Sequence, residues 1–196
     1  MQLKEYRERY KAIAGVDEAG RGPLAGPVVA AAVILPDDFN NQDIKDSKQL
    51  SAKKREYLFD LIKAEAKAWS IVAVGPRRIE LHNIRAASLL AMSLAVSRTS
   101  ADFVLIDGNA EIKTKLPQEA IIKGDQKFQV ISAASILAKV HRDRLMQACD
   151  QRYPGYNFSK HAGYPTKKHR ETISQMGPCR IHRKTFKGVQ EWLPTQ

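Results

Sequence analysis

The sequence predicts the α/β class, with a mixed five-stranded sheet flanked by helices and a helical C-terminal extension. Two apolar segments come first along the chain, and later apolar segments alternate with stretches of helical periodicity, which is the order expected of a mixed sheet. The apolar segments are also bounded by proline, glycine or aspartate, as buried strands commonly are. The predicted strands cover residues 12–17, 27–35, 69–74, 103–106 and 120–122.

Four helices are predicted from apolar residues that recur at helical spacing. Ser51 suits the N-cap of the first helix, and Thr166 suits the N-cap of the last, near 166–176. The other two helices cover about 79–97 and about 130–153. Their alternation with the strands supports the α/β class.

The charge of the chain is strongly positive. Its 196 residues include 32 Lys and Arg against 21 Asp and Glu, a formal net charge of +11. Residues 151–196 hold nine basic and two acidic side chains, so this segment is expected to be a basic extension on a nearly balanced core. Such a surplus favours a polyanionic partner, either nucleic acid or a membrane surface. We expect a single domain over residues 1–196.

Several protein classes are excluded by what the sequence lacks. No apolar run approaches the roughly 20 residues that span a bilayer, and the N-terminal residues are charged where a secretory signal would be apolar. Cys149 and Cys179 have no zinc-type spacing and are expected to be reduced thiols. We therefore expect a cytoplasmic protein, and a monomer.

Acidic residues stand at the ends of the predicted strands. Asp17 and Glu18 end the first strand, Asp107 ends the fourth, and Asp125 precedes the third helix. Carboxylates that meet at one edge of a sheet repel one another, and a hard divalent cation relieves this repulsion. Oxygen ligands without a His or Cys cluster favour Mg²⁺ or Mn²⁺ over Zn²⁺. Each acid alone could be a turn or cap residue, but the set predicts a metal site.

One geometric difficulty concerns the first two acids. Neighbouring side chains on a strand point to opposite faces, so Asp17 and Glu18 cannot both reach one metal ion from a regular strand. Either the strand has already broken at Glu18, or Glu18 contributes from another angle or through its carbonyl group.

A small glycine loop follows after Ala19. In Gly20-Arg21-Gly22 the glycines allow close backbone approach to a ligand, and the guanidinium can grip a phosphate. The motif alone is weak, but its position directly after two acids predicts a substrate-binding loop.

Six motifs follow one another along nearly the whole chain. They are AGVDEAGRGP (14–23), DSK (46–48), IDGN (106–109), KGD (123–125), ISAASILAKV (131–140) with Arg142-Asp143 behind it, and HAGYPT (161–166). In residues and order this set resembles type 2 ribonuclease H, the bacterial ribonuclease HII family. That family usually has Lys where Ala162 stands, which is a mild departure in a loop.

The resemblance implies a ribonuclease H-like sheet and an endoribonuclease. Its substrates would be the RNA strand of RNA–DNA hybrids and single ribonucleotides embedded in duplex DNA. Cleavage would be two-metal-ion phosphodiester hydrolysis that leaves 5′-phosphate and 3′-hydroxyl ends. Two metal ions can position a water molecule, relieve charge on the phosphate and stabilise the departing 3′ oxygen.

The resemblance also implies roles for individual residues. The metal-binding and catalytic acids would be Asp17, Glu18, Asp107 and Asp125. The 2′-hydroxyl group would be sensed by the loop Gly20, Arg21 and Gly22, and Tyr164 would pack on the sugar of the following nucleotide. Tyr164 could alternatively be a core aromatic residue. Further substrate contacts are expected from Lys48, Ser132 and Lys139, although a cation near a helix end can also be merely structural.

Two other functions remain open at this point. A junction resolvase with a similar sheet would cut DNA that has no 2′-hydroxyl group, and a binding module would not cut at all. His161 and His169 are interpreted as surface residues or as residues near phosphates, not as a base–nucleophile pair.

Overall fold

Five strands form one sheet in the computed structural model, which describes residues 3–44 and 50–193. The strands are β1 (Ile13–Ala19), β2 (Val28–Ile34), β3 (Ala68–Val74), β4 (Phe103–Asp107) and β5 (Gln118–Ile121). Their order across the sheet is β3-β2-β1-β4-β5. β2 is antiparallel to β1 and β3, whereas β1, β4 and β5 run parallel. The predicted mixed five-stranded sheet is confirmed.

Helices cover both faces of the sheet. They are α1 (Leu3–Arg7), α2 (Ala52–Glu65), α3 (Pro76–Val96), α4 (Gln129–Arg152), α5 (Phe158–His161) and α6 (Lys167–Met176). The hydroxyl groups of Ser51 and Thr166 accept the backbone N–H groups of Lys54 and His169, so both predicted N-caps are confirmed.

The core has two layers, one on each side of the sheet. Val29, Ala31 and Val33 of β2 lie in the layer under α2 and α4, while the alternate residues of β2 lie in the layer under α3. Because both faces are covered, every residue of β2 is buried.

The end of β1 and the start of α3 differ from the predicted boundaries. β1 does not end at its acids but continues to Ala19, because Asp17 and Glu18 pair with Ala31 and Ala30 of β2. α3 begins at Pro76 and is interrupted at Asn83, where φ is +63° and the side-chain oxygen accepts the N–H group of Ala86. Asn83 thus caps the second half of this helix.

The charge of the C-terminal segment suggested a basic extension on the core. In the structure this segment is part of the packed domain. Its chain is only partly helical, and it packs directly against the loop between β1 and β2. The backbone N–H groups of Leu24 and Gly26 donate to the carbonyl groups of Gly163 and Ile181, and the N–H group of Arg183 donates back to Leu24. The segment therefore fixes the loop that follows the acids.

Among the described residues, no helix combines the length and apolar character needed to cross a bilayer.

Candidate active site

Asp17 and Asp107 stand side by side at the carboxyl end of two parallel strands. Val16 of β1 pairs with Ile106 of β4, and the acids are the next residue along each strand. By the alternation of a strand, both side chains point to the face that α4 covers. Ser135 of α4 is hydrogen-bonded to the Asp17 side chain, which also accepts the N–H group of Glu18 at 2.7 Å.

A tight turn after β5 brings Asp125 to the same place. Lys123 has the left-handed backbone conformation, with φ of +56°. The N–H groups of Gly124 and Asp125 then donate to Oδ1 of Asp107, at 2.7 and 3.4 Å. Asp125 itself is buried, at 6% exposure. Three of the four predicted acids therefore share this corner of the sheet.

Ser132 supports this turn and does not face solvent. Its hydroxyl group is buried and donates to the carbonyl groups of Asp125 and Phe128. In the structure the residue thus links the Asp125 turn to α4, and its role as a substrate contact stays a prediction.

Glu18 lies on the other face of β1. The strand has not broken there, so the first of the two alternatives for this residue was wrong. Its carboxylate is 3.3 Å from Nη1 of Arg21, so an ion pair links Glu18 to the glycine loop.

The acids disturb one another electrostatically. Burial raises the pKa of Asp17 well above its usual range, and the negative charges of Glu18 and Asp107 add to this effect. Burial also raises the pKa of Glu18, against the opposing effect of Arg21. The corner is thus a buried, negatively charged site whose charge is only partly compensated.

The chemistry of these groups fits a hard divalent cation. All four candidate ligands are carboxylates, and a cation would offset both the burial and the mutual repulsion that raise the pKa values of Asp17 and Glu18. Within residues 3–44 and 50–193, no three acidic, His or Cys side chains are gathered closely enough to enclose a metal ion.

The two glycines of the loop are needed for different reasons. Gly20 has φ of +98°, and a Cβ atom there would lie 2.1 Å from Nε of Arg142, so the fold itself requires glycine. A Cβ atom on Gly22 would contact only Cε1 of Tyr164, at 3.8 Å. The space beside Gly22 is therefore open to a ligand.

Tyr164 is a surface residue beside this open space. Its side chain is 40% exposed, so the core alternative was wrong. Nζ of Lys139 lies 6.0 Å and the Arg142 guanidinium 5.8 Å from the centre of its ring. Lys139 also forms an ion pair with Asp143 at 2.7 Å. An aromatic face and a cation thus flank the loop.

Two further residues were predicted to lie at the substrate or at the surface. Lys48, with the whole DSK motif, lies outside the described residues. His169 is fully buried and was wrongly interpreted as a surface or phosphate residue. Its Nε2 atom is 3.1 Å from Nε2 of His182, and burial lowers the pKa of both rings to about 4.

Sequence reasoning missed Arg183 altogether. The residue is fully buried and donates three hydrogen bonds to the loop between β1 and β2. No local pattern marks it, because the carbonyl groups that it binds are some 160 positions earlier in the chain.

Comparison with known proteins agrees with this arrangement. Residues 14–189 match the family model for ribonuclease HII. The chain is 51% identical to the ribonuclease HII of Geobacter metallireducens over 94% of its length and 88% of the relative's. It is 50% identical to that of Geotalea uraniireducens, over 97% of its length and 89% of the relative's.

A solved structure shares the fold. The ribonuclease H2 of Pyrococcus horikoshii superposes with a TM-score of 0.78 at 28% identity, covering 92% of this chain and 96% of the other. With the family model and the close relatives, this places the chain among metal-dependent endonucleases that act on RNA–DNA substrates. The chain belongs to the ribonuclease HII family.

Proposed function

We propose that this enzyme cleaves the RNA strand of RNA–DNA hybrids and also incises duplex DNA at a single embedded ribonucleotide. The observation that carries this proposal is the glycine loop. Among the described residues, the N–H groups of Arg21 and Gly22 donate to no protein acceptor, and Gly22 lies beside the exposed ring of Tyr164. Free N–H groups at a small, open backbone surface suit a hydroxyl or phosphate oxygen.

The acids would hold the catalytic cations. Asp17, Glu18, Asp107 and Asp125 supply oxygen ligands, with Glu18 acting from the other face of β1 or through its carbonyl group. Two bound divalent cations would activate water, relieve charge on the phosphate and stabilise the leaving 3′ oxygen, so that the ends are 5′-phosphate and 3′-hydroxyl. Mg²⁺ and Mn²⁺ are the candidates because the donors are hard oxygen atoms.

The residues of the chain position the substrate in this scheme. The Asp107 carboxylate is held by the N–H groups of the Asp125 turn, so its orientation is set before substrate binds. Tyr164 offers a face for the sugar, and Lys139 offers a positive charge at its edge. Lys48 is proposed as a further substrate contact, and Ser132 is proposed to act on the substrate site through Asp125.

The state of the protein in the cell is also part of the proposal. We propose that residues 1–196 work as one catalytic domain, because the C-terminal segment is hydrogen-bonded to the loop after β1. A monomer in the cytoplasm is proposed, where nucleic acid is present and the free thiols of Cys149 and Cys179 stay reduced. Size-exclusion chromatography with light scattering tests the monomer.

The decisive experiment uses three matched duplexes of one sequence: all DNA, DNA with one ribonucleotide, and an RNA–DNA hybrid. With Mg²⁺ or Mn²⁺ present, we expect a single cut at the ribonucleotide, many cuts in the RNA strand of the hybrid, and none in all-DNA duplex. End analysis should show 5′-phosphate and 3′-hydroxyl groups. Cutting of the hybrid alone would reject single-ribonucleotide incision, and cutting of all-DNA duplex would favour a resolvase-like activity.

A further inference from the structure

The fully buried guanidinium of Arg183 is bonded to three carbonyl groups around the glycine loop. Nη2 donates to Gly20 at 2.6 Å, Nη1 to Arg21 at 2.9 Å and Nε to Gly26 at 3.0 Å. All of its donor-bearing atoms are thus used on one short stretch of backbone, in the fixed fork geometry of arginine.

These bonds determine where the loop N–H groups point. The peptide bonds of the loop are trans, so each N–H group is antiparallel to the carbonyl group of the preceding residue. The carbonyl groups of Gly20 and Arg21 both point towards Arg183. The N–H groups of Arg21 and Gly22 therefore both point away from Arg183, and a Cβ atom on Gly22 would lie 3.8 Å from the ring of Tyr164.

Burial of the Arg183 charge lowers the free energy of unfolding. Burial lowers the pKa of Arg183 to about 9, so the group is still charged at neutral pH. Neither Arg183 nor the equally buried Arg142 forms an ion pair with a carboxylate among the described residues. A buried charge compensated only by carbonyl groups opposes folding more than an apolar side chain would.

We propose that Arg183 is a positioning residue that aims the N–H groups of Arg21 and Gly22 at the 2′-hydroxyl group and the adjoining phosphate. The inference rests on the proposed recognition of ribose by this loop. Arg183 touches no substrate in this scheme; it acts through two peptide groups. The competing possibility is that it only fastens the C-terminal segment to the core.

The test is the variant Arg183→Lys, with Arg180→Lys as its matched control. Lysine keeps the charge but replaces the planar fork with one ammonium group, whereas Arg180 is exposed on the same segment. Affinity is measured in EDTA for the all-DNA and the single-ribonucleotide duplex. We expect the dissociation constant for all-DNA duplex divided by that for the single-ribonucleotide duplex to fall about tenfold in Arg183→Lys, with affinity for all-DNA duplex nearly unchanged. The melting temperature should fall to some extent, because lysine cannot bond all three carbonyl groups. Arg180→Lys should keep the wild-type ratio.

Each other outcome has a distinct meaning. If the wild type discriminates and Arg183→Lys discriminates equally well, the positioning role is wrong. If affinity for both duplexes falls together with the melting temperature, Arg183 only fastens the fold. If the wild type itself does not discriminate, the proposed recognition by the loop fails, irrespective of Arg183.

A second measurement covers the case in which Arg183→Lys does not fold. In ¹⁵N-labelled wild type, the single-ribonucleotide duplex should shift the amide resonances of Arg21 and Gly22, and the all-DNA duplex should shift them much less. Identical shifts with both duplexes would show that these N–H groups do not point at the 2′-hydroxyl group.

Discussion

Tyr164 and Gly22 face each other across the open side of the glycine loop: a methyl group on Gly22 would lie 3.8 Å from Cε1 of the Tyr164 ring. The aromatic ring comes from the C-terminal segment and the glycine from the loop after β1. The candidate ribose site is therefore assembled from two ends of the chain, and its two sides can be varied separately.

Tyr164→Ala should reduce incision at a single ribonucleotide more than about tenfold, because stacking on a nucleotide contributes on the order of 1–3 kcal/mol. Since the ring is exposed, the melting temperature should stay close to that of the wild type. Tyr57→Ala, which removes an exposed tyrosine from α2, is the control. An activity loss that only follows a loss of stability would contradict the assignment.

Gly22→Ala should fold normally and should impair cleavage of ribonucleotide-containing duplex, because the added methyl group occupies the open space beside Tyr164. Gly20→Ala should instead destabilise the protein, by on the order of 1–3 kcal/mol, since it strains the left-handed backbone and meets Arg142. Urea unfolding and cleavage assays separate the two effects. Wild-type activity of Gly22→Ala would remove this surface from the recognition model.

Asp107→Asn should lower the cleavage rate by on the order of 10³ or more, because the amide cannot replace the charge that holds a cation. The side-chain oxygen can still accept the N–H group of Gly124, so the fold should persist. Asp37→Asn, which changes an exposed acid that is ion-paired with Arg7 and Lys67, should leave the rate unchanged. Near-normal turnover of Asp107→Asn would show that Asp107 is not a ligand.

Neutralising Lys167, Lys168 and Arg170 together should flatten the dependence of log K on log salt by up to about three units, one for each phosphate contact. These exposed cations follow Tyr164 at the start of α6.

The control for this experiment replaces Arg9, Lys11 and Arg98. These cations are also exposed but precede β1 and β4, at whose amino ends the N–H group of Lys11 donates to Asp102. The same flattening in both triple variants would indicate a general effect of net charge, and no flattening in the first would place α6 away from the duplex.

The contribution of His169 and His182 to the free energy of unfolding should fall as the pH falls from about 6.5 towards 4, opposite in sign to that of the raised pKa values of Asp17 and Glu18. Burial lowers the pKa of His169 and His182 to about 4, so the unfolded chain binds protons in this window and the folded protein does not. With both rings titrating, the slope approaches about 2.7 kcal/mol per pH unit. Above pH 6.5 this contribution is complete.

Urea unfolding between pH 7.5 and 5 measures this slope. The double variant His169→Gln, His182→Gln should reduce it, while His82→Gln, at an exposed position of α3, should not. An identical slope in the wild type and in the double variant would contradict the neutral, buried state of the pair.

The sequence by itself determined the elements whose signals are local. The N-caps at Ser51 and Thr166, the buried strand before Asp107 and the long apolar helix can be recognised from neighbouring residues, because capping and periodicity act over a few positions. The motifs that resemble ribonuclease HII also lie in the local sequence, which is why the family could be predicted and why four acids could be proposed as metal ligands.

Only the tertiary structure decided how these parts face one another. β1 continues past Glu18 because β2 is its partner, and that pairing turns Glu18 away from Asp17. Arg183 and His182 look like members of a basic, solvated tail, yet both are buried against the loop after β1 and α6. Burial and hydrogen bonding between residues about 160 positions apart depend on the packing of the whole chain, and no short-range pattern encodes them.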